Sequence, residues 1–333
     1  MDLNTILFLL VGVLVVGYAI LDGFDLGVGM LSLLARSKEE RNLHVASIGP
    51  VWDGNEVWLL ATADVLFGAF PLVFTTVFSG FYLAFMLLLV ALVARAVAIE
   101  FRLLQPSSLW IRFWDWAFGL GSLASALLLG LVVGNVVRGV PIGPGFAWKG
   151  SFLGLLNPYA ILVGIVSCTL LFMHGAVYLW MKTEGEFSDR LSRIALYAYC
   201  VFLLLYGVVI AATVFVSPFL FRKAASLVFL GFTGLLGTAL VSIPIMIRTR
   251  RKGVAFVASS ATIALMIIAV ASSVYPVLVP SSLNPELSLT IYNAASTPGT
   301  LVLVLAIALI GIPIMLGYTF TVYRVFRGPT RAA

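Results

Sequence analysis

Leu21-Asp22-Gly23-Phe24-Asp25-Leu26-Gly27 and, farther along, Gly49-Pro50-Val51-Trp52-Asp53-Gly54-Asn55-Glu56-Val57-Trp58 each place a pair of acids inside a stretch that otherwise reads as membrane-spanning. An Asp near the middle of a spanning helix costs roughly 2.5–3.5 kcal/mol on insertion scales, so an acid at that depth marks a functional site by default. Around these two stretches the chain is 62% apolar and 10% charged over 333 residues. A soluble domain runs near 45–50% apolar and about 25% charged. The chain is therefore an integral membrane protein with no sizeable soluble domain. Its net charge of +6 has to be read loop by loop, and the basic residues form no clustered face of the kind nucleic-acid binding needs.

A spanning helix takes about 20 apolar residues. Apolar runs lie near 5–34, 50–72, 74–102, 113–137, 158–181, 191–216, 225–247, 254–279 and 297–324. The expected fold is all-α, a single transmembrane domain over 1–333 with about nine helices. The second run is the least hydrophobic, because it carries Asp53, Glu56 and Asp64. Met1-Asp2-Leu3-Asn4 is acidic where a signal peptide would be basic, so the first run is kept as a span. Loops after odd-numbered runs, with the C-terminal tail, hold 15 Lys and Arg residues, from Arg36 to Arg331. Loops on the other side hold 4, namely Arg138, Lys149, Arg222 and Lys223. The positive-inside rule then puts the N-terminus outside and the C-terminus in the cytoplasm. Trp110, Trp114 and Trp116 at the start of the fourth run fit an interfacial belt.

Residues three apart share a helix face. Asp22 and Asp25 therefore project together, as do Asp53 and Glu56, and Asp64 returns to nearly the same stripe as Asp53 three turns later. Gly23 and Gly27 form a small-xxx-small pair that lets a neighbouring helix come close. The third run adds Arg95 and Glu100. With the first two runs antiparallel, both acid pairs fall in the cytoplasmic half, and Arg95 is the one intramembrane base available to compensate them. A buried salt-bridge network holding three helices in register is one reading. Several acids against a single base leave a surplus that can carry protons, which is what a relay needs. Asp22, Asp25, Asp53, Glu56, Asp64 and Glu100 are accordingly the proton-path candidates.

His174 is the only histidine at membrane depth, since His44 falls in the first cytoplasmic loop. It is read as a packing histidine beside Gly175, with haem ligation as the alternative. Cys168 and Cys200 form no CxxC and imply no disulfide framework. Zinc, nucleotide and dinucleotide motifs are absent from the sequence.

The acid-bearing stretches, Asp22 to Gly29 and Pro50 to Leu59, resemble subunit II of the cytochrome bd-type quinol oxidases of bacteria. The resemblance continues through Phe70-Pro71, Phe78-Ser79-Gly80-Phe81-Tyr82, Arg95, Glu100-Phe101-Arg102, Asn157-Pro158, His174-Gly175-Ala176, Lys182-Thr183-Glu184-Gly185, Pro280-Ser281-Ser282 and Pro313. It closes with Tyr318-Thr319 and Tyr323 to Gly328. It implies a nine-helix, haem-free subunit of a quinol:O2 oxidoreductase in the bacterial inner membrane. The partner, subunit I, would carry the b- and d-type haems and the quinol-oxidising loop. A structural quinone, bound lipid and small single-helix accessory subunits are further partners that the resemblance allows. Residues matching Asp25 and Asp53 would lie on the path of cytoplasmic protons to the oxygen site. The competing expectations are an ion-coupled secondary transporter using the same acids and a scaffold subunit with no chemical part.

Overall fold

A computed structural model describes residues 2–223 and 226–330, so Met1 and Arg331, used above, lie outside the described residues, as does the Lys223 side chain. Twelve α-helices follow one another: α1 Leu3–Ser32, α2 Lys38–Ile48, α3 Trp52–Ala69, α4 Pro71–Gly80, α5 Tyr82–Phe101, α6 Ser108–Arg138, α7 Phe152–Leu155, α8 Pro158–Lys182, α9 Gly185–Val216, α10 Leu227–Arg248, α11 Lys252–Val274 and α12 Pro298–Val325. A small hairpin of β1 Val277–Val279 and β2 Leu289–Thr290 sits between the last two.

Eight of these helices are long and apolar enough to cross a bilayer. Helix α3 is not among them, because its three acids make it more polar. At 1.5 Å per residue its 18 residues reach about 27 Å. It starts beside α2 and ends at the opposite side, where Ser296 donates from its backbone to the Ala69 carbonyl at 2.9 Å and from its hydroxyl to Gly68 at 2.7 Å. Pro71 then opens α4, whose chain runs on into α5 through a bend at Phe81 (φ −99°, ψ 18°).

Two differences from the sequence reading have local causes. The span expected to reach residue 279 ends at Val274, because Pro276 denies the helix a donor and Val277–Val279 pairs with β2 instead. The first basic loop is not a plain loop but holds α2. Ser37 caps it by accepting from the Glu40 amide at 3.2 Å, while the Glu40 carboxylate accepts from the Arg36 amide at 2.8 Å. This is close to the reciprocal capping arrangement that starts many helices.

The connections sort to two faces. The start of α1, the loop before α8 and the β1–β2 region meet on one: Tyr292 donates to Asp2 at 3.1 Å, and Val140 bridges to Ser281. The other, which we call the basic face, gathers α2, the α5–α6 and α8–α9 turns, the α10–α11 turn and the chain end. There Lys252 donates to Thr183 at 2.6 Å and the Thr330 amide to Lys182 at 2.8 Å.

The core lies around α1, which is flanked by α3, α6, α8, α11 and α12. The lower part of α1, Asp22 to Ser32, is buried on every side. Small residues make this possible. A side chain at Gly27 would collide with Leu171 and with Gly175 of α8, and one at Gly175 would strike Gly27 in return. Two glycines thus let the α1 and α8 backbones touch at their crossing, the close approach small-xxx-small pairs provide in membranes. The outer faces of α5, α9, α10 and α12 expose Leu, Val, Ile and Phe side chains, as a lipid-facing surface requires.

Candidate functional site

The α1–α8 crossing holds Asp22 and Asp25 in the interior, both with no exposed surface. From α5, Arg95 turns inward and is equally buried. Its inward course follows from small neighbours: Ala94, Ala96 and Ala98 surround it in sequence, and Gly121 brings α6 against the backbone at Ala91 and Arg95. Arg95 Nη2 lies 2.7 Å from Asp22 Oδ1 and also pairs with Glu56 of α3. The contact with Asp22 has ion-pair distance without hydrogen-bond alignment, so both Asp22 oxygens lack a hydrogen-bond partner, as do Arg95 Nε and Nη1.

Asp25 has a different setting. Asn55 of α3 donates from Nδ2 to Asp25 Oδ2 at 2.7 Å and to the Leu21 carbonyl at 3.3 Å. Tyr323 of α12 donates in turn to Asn55 Oδ1 at 3.0 Å. The amide is thereby fixed with its nitrogen toward the acid. Asp25 Oδ1 remains without a partner, and Tyr18 Oη and Trp58 Nε1 are similarly unpartnered and buried. Below, Phe24 stacks on Tyr178 with ring centroids 3.9 Å apart, and Tyr178 donates to the Ser47 carbonyl at 2.9 Å. This stack places aromatic carbon next to Asp25 in sequence and ties α1 and α8 to the end of α2.

The structure thus brings together Asp22, Asp25, Glu56 and Arg95. It does not bring in Asp53, Asp64 or Glu100, whose side chains are exposed. The Asp53–Glu56 pair parts at the edge of the bundle. Glu56 turns toward Arg95 while 25% of its side chain still reaches the surface. Asp53 and Asp64 lie on the outer side of α3 with Val57, Leu60 and Phe67. Asn55, Tyr18, Trp58 and Tyr323 join the site without having been singled out from the sequence. Asn55 had a signal, a carboxamide between two acids inside a span. Tyr323, 268 positions from Asn55, had none.

Three carboxyl groups, those of Asp22, Asp25 and Glu56, share this interior with one guanidinium. Among the described residues no group of three or more His, Cys, Asp and Glu is placed to hold a metal ion. Both ring nitrogens of His174 are engaged within the bundle. Its Nδ1 bonds Ser259 at 2.8 Å, its Nε2 the Ile20 carbonyl at 3.1 Å, and its ring stacks on Phe256 at 5.0 Å.

Comparison with known proteins adds the lineage. A family model described as cytochrome bd terminal oxidase subunit II matches residues 3–326. The chain is 36% identical over 353 residues to cytochrome bd-I ubiquinol oxidase subunit 2 of Escherichia coli K12, covering 96% of this chain and 93% of that one. It is 32% identical over 327 residues to cytochrome bd ubiquinol oxidase subunit 2 of Bacillus subtilis 168, covering 98% and 96%. Its fold follows a chain of the bd oxidase from Geobacillus thermodenitrificans with a TM-score of 0.82, at 19% identity over 98% of this chain and 99% of that one.

Proposed function

Because the chain belongs to the cytochrome bd terminal oxidase subunit II family, we propose that it serves quinol-driven oxygen reduction as the haem-free subunit, and that its buried acids pass protons toward a haem-bearing subunit I. It is a subunit of a terminal oxidase, an oxidoreductase complex of the bacterial inner membrane. The ion-coupled transporter reading gives way to that family membership.

The observation that carries the proton role is the placement of Glu56. It stands between the buried Asp22, Asp25 and Arg95 on one side and the acidic outer face of α3 on the other. Haem in the partner would supply the electron transfer to O2, and each electron delivered calls for a proton. In this chain, Asp25 would hold a proton through its free Oδ1, with Asn55 and Tyr323 orienting the carboxyl group. Asp22 lies one turn away on the same face of α1. Arg95, fixed between Asp22 and Glu56, would keep one negative charge in place, so that an added proton moves among the surplus carboxylates rather than neutralising the pair. From Glu56 the proton would reach the surface stripe of Asp53 and Asp64.

That stripe also supports the partner's location. Asp64 stands about 18 Å along α3 from Trp52, at the depth of the hydrocarbon core. Facing lipid there would cost roughly 2.5–3.5 kcal/mol, and a second polypeptide covering α3 removes that cost. A bound quinone and small accessory helices belong to the same proposal, as partners of the assembled complex.

The test uses the intact complex. Asp25→Asn should assemble with normal haem content and lower the oxygen-consumption rate with excess quinol by about tenfold or more, the scale of a lost proton-transfer group. Wild-type turnover in that variant would remove the proton role. Loss of assembly alone would instead favour a purely structural cluster, the reading that the Arg95 ion pairs support independently.

A further inference from the structure

A second polar cluster lies outside the acid site, where the end of α1, the middle of α2 and the first turns of α6 meet at the basic face. A cavity of about 330 Å³ opens there, lined by Ser32, Leu33, Arg41, Arg112, Asp115 and Trp116. Its one acid is already committed. Arg102, the residue just after α5, is 2% exposed and holds Asp115 through Nε at 2.5 Å, while its Nη1 donates to Asn42 of α2 at 2.7 Å. Arg102 Nη2 is buried without a hydrogen-bond partner. Arg41 reaches the other Asp115 oxygen only at 3.8 Å and keeps 42% of its side chain exposed. Arg112 is exposed and forms no ion pair among the described residues. The pocket therefore carries three guanidinium groups at or behind its wall against one carboxylate.

Its position has a chemical consequence. Trp116 and Phe113 are 55% and 61% exposed, and Leu34 is 57% exposed, so apolar surface borders the arginines on the bilayer side. Trp110, one turn earlier, anchors its indole on the Phe101 carbonyl at 2.8 Å. The amides in the first turn of α6, which precedes Arg112, add partial positive charge, and Ser107 makes no side-chain cap to satisfy them. A ligand that suits this pocket carries a phosphate monoanion on one end and hydrocarbon on the other. Guanidinium groups match phosphate oxygens in bidentate geometry, and basic pockets between helices at a membrane boundary are suited to anionic headgroups.

We propose that this cavity is a binding site for the headgroup of an anionic phospholipid, with Arg41 and Arg112 as the phosphate contacts and Trp116 as the interfacial wall. Bound there, the lipid would tie α2 to α1 and α6 by completing the charge balance around Asp115. The site is separate from the acid cluster, so its outcome is independent of the proton role.

The experiment takes the intact complex, stripped of lipid by detergent exchange and incubated with nanodisc-derived mixtures of phosphatidylglycerol and phosphatidylcholine, and reads bound lipid by native mass spectrometry. Wild type should retain phosphatidylglycerol in preference to phosphatidylcholine. Arg112→Gln should lower that retention about fivefold, the effect of one basic group near an anionic headgroup, and Arg112→Lys should restore much of it. Arg248→Gln, an exposed arginine on the same face but outside the pocket, should leave it unchanged. Excess inorganic phosphate should fail to displace the lipid; displacement would assign the site to free phosphate instead. Equal retention in wild type and Arg112→Gln, or equal loss of the two lipids, would overturn the proposal.

Discussion

Arg95 is the residue on which most of the buried chemistry depends. It is the single base among Asp22, Asp25 and Glu56, and removing one partner of a buried ion pair costs about 3–5 kcal/mol because the other charge is left uncompensated. Arg95→Gln should therefore reduce the yield of assembled complex, measured by co-purification of the partner's haem absorbance. Asn55→Ala makes a finer distinction. It removes the donor to Asp25 and the acceptor for Tyr323 but no formal charge, so it should slow turnover more than it harms assembly. Equal damage to both would assign Asn55 to structure alone. At this scale the sequence was only partly informative. Acids in a greasy chain announce themselves singly, so Asp22, Asp25, Glu56 and Arg95 were legible. Which way each side chain turns was not: Asp53 and Glu56 share a face by spacing, yet the edge of the bundle falls between them.

At the scale of elements, the close crossing of α1 and α8 and the seating of α2 make separate predictions. Gly175→Val would place a branched side chain on the Gly27 backbone, and overpacking of this kind costs typically 1–3 kcal/mol. The variant complex should melt at a lower temperature than wild type. In α2, His44 is 2% exposed, its Nδ1 lies 2.6 Å from the Glu40 carbonyl, and its ring meets Phe187 edge to face. Burial pushes its pKa down to about 4 from 6.5, against the opposing pull of Glu40 and with the help of Arg190 and Arg41. A base held neutral by the fold contributes its full stability above pH 6.5 and loses it as pH falls toward 4, by about 1.4 kcal/mol per unit. Thermal stability of the complex should fall between pH 6.5 and 5, and His44→Phe should flatten that slope. A slope unchanged by the substitution would place the acid sensitivity elsewhere. Helix α2 itself was readable in Ser37 and Glu40, whose spacing is a capping signature, but its charged face hid it among loops. The β1–β2 hairpin was not readable, since Val277–Val279 looks like the last turn of a span until Pro276 is given its weight.

For the whole molecule, hydropathy alone accounts for the eight long apolar helices, and the more polar α3 marks the side on which the complex should be built. Leu60, 63% exposed, shares that side with Asp53 and Asp64; Leu204 on α9 is 70% exposed among apolar neighbours. Leu60→Trp should weaken association with the haem-bearing subunit, read as separation during size-exclusion chromatography, whereas Leu204→Trp should be tolerated as a lipid-facing change. Equal tolerance of both would move the partner to another face. The meeting of α12 with α3 through Tyr323 and Asn55 could not be seen in the sequence, because nothing local ties residues so far apart.

Proton uptake timed against oxygen reduction tests the central claim most directly. Fully reduced complex carrying Asp25→Asn is mixed with O2 in a weakly buffered solution containing a pH dye, and proton uptake and haem oxidation are followed in the same shot. The account predicts that proton uptake slows by about tenfold or more while the first, proton-independent oxidation of haem keeps its wild-type rate. Proton uptake at the wild-type rate in an assembled Asp25→Asn complex would contradict it.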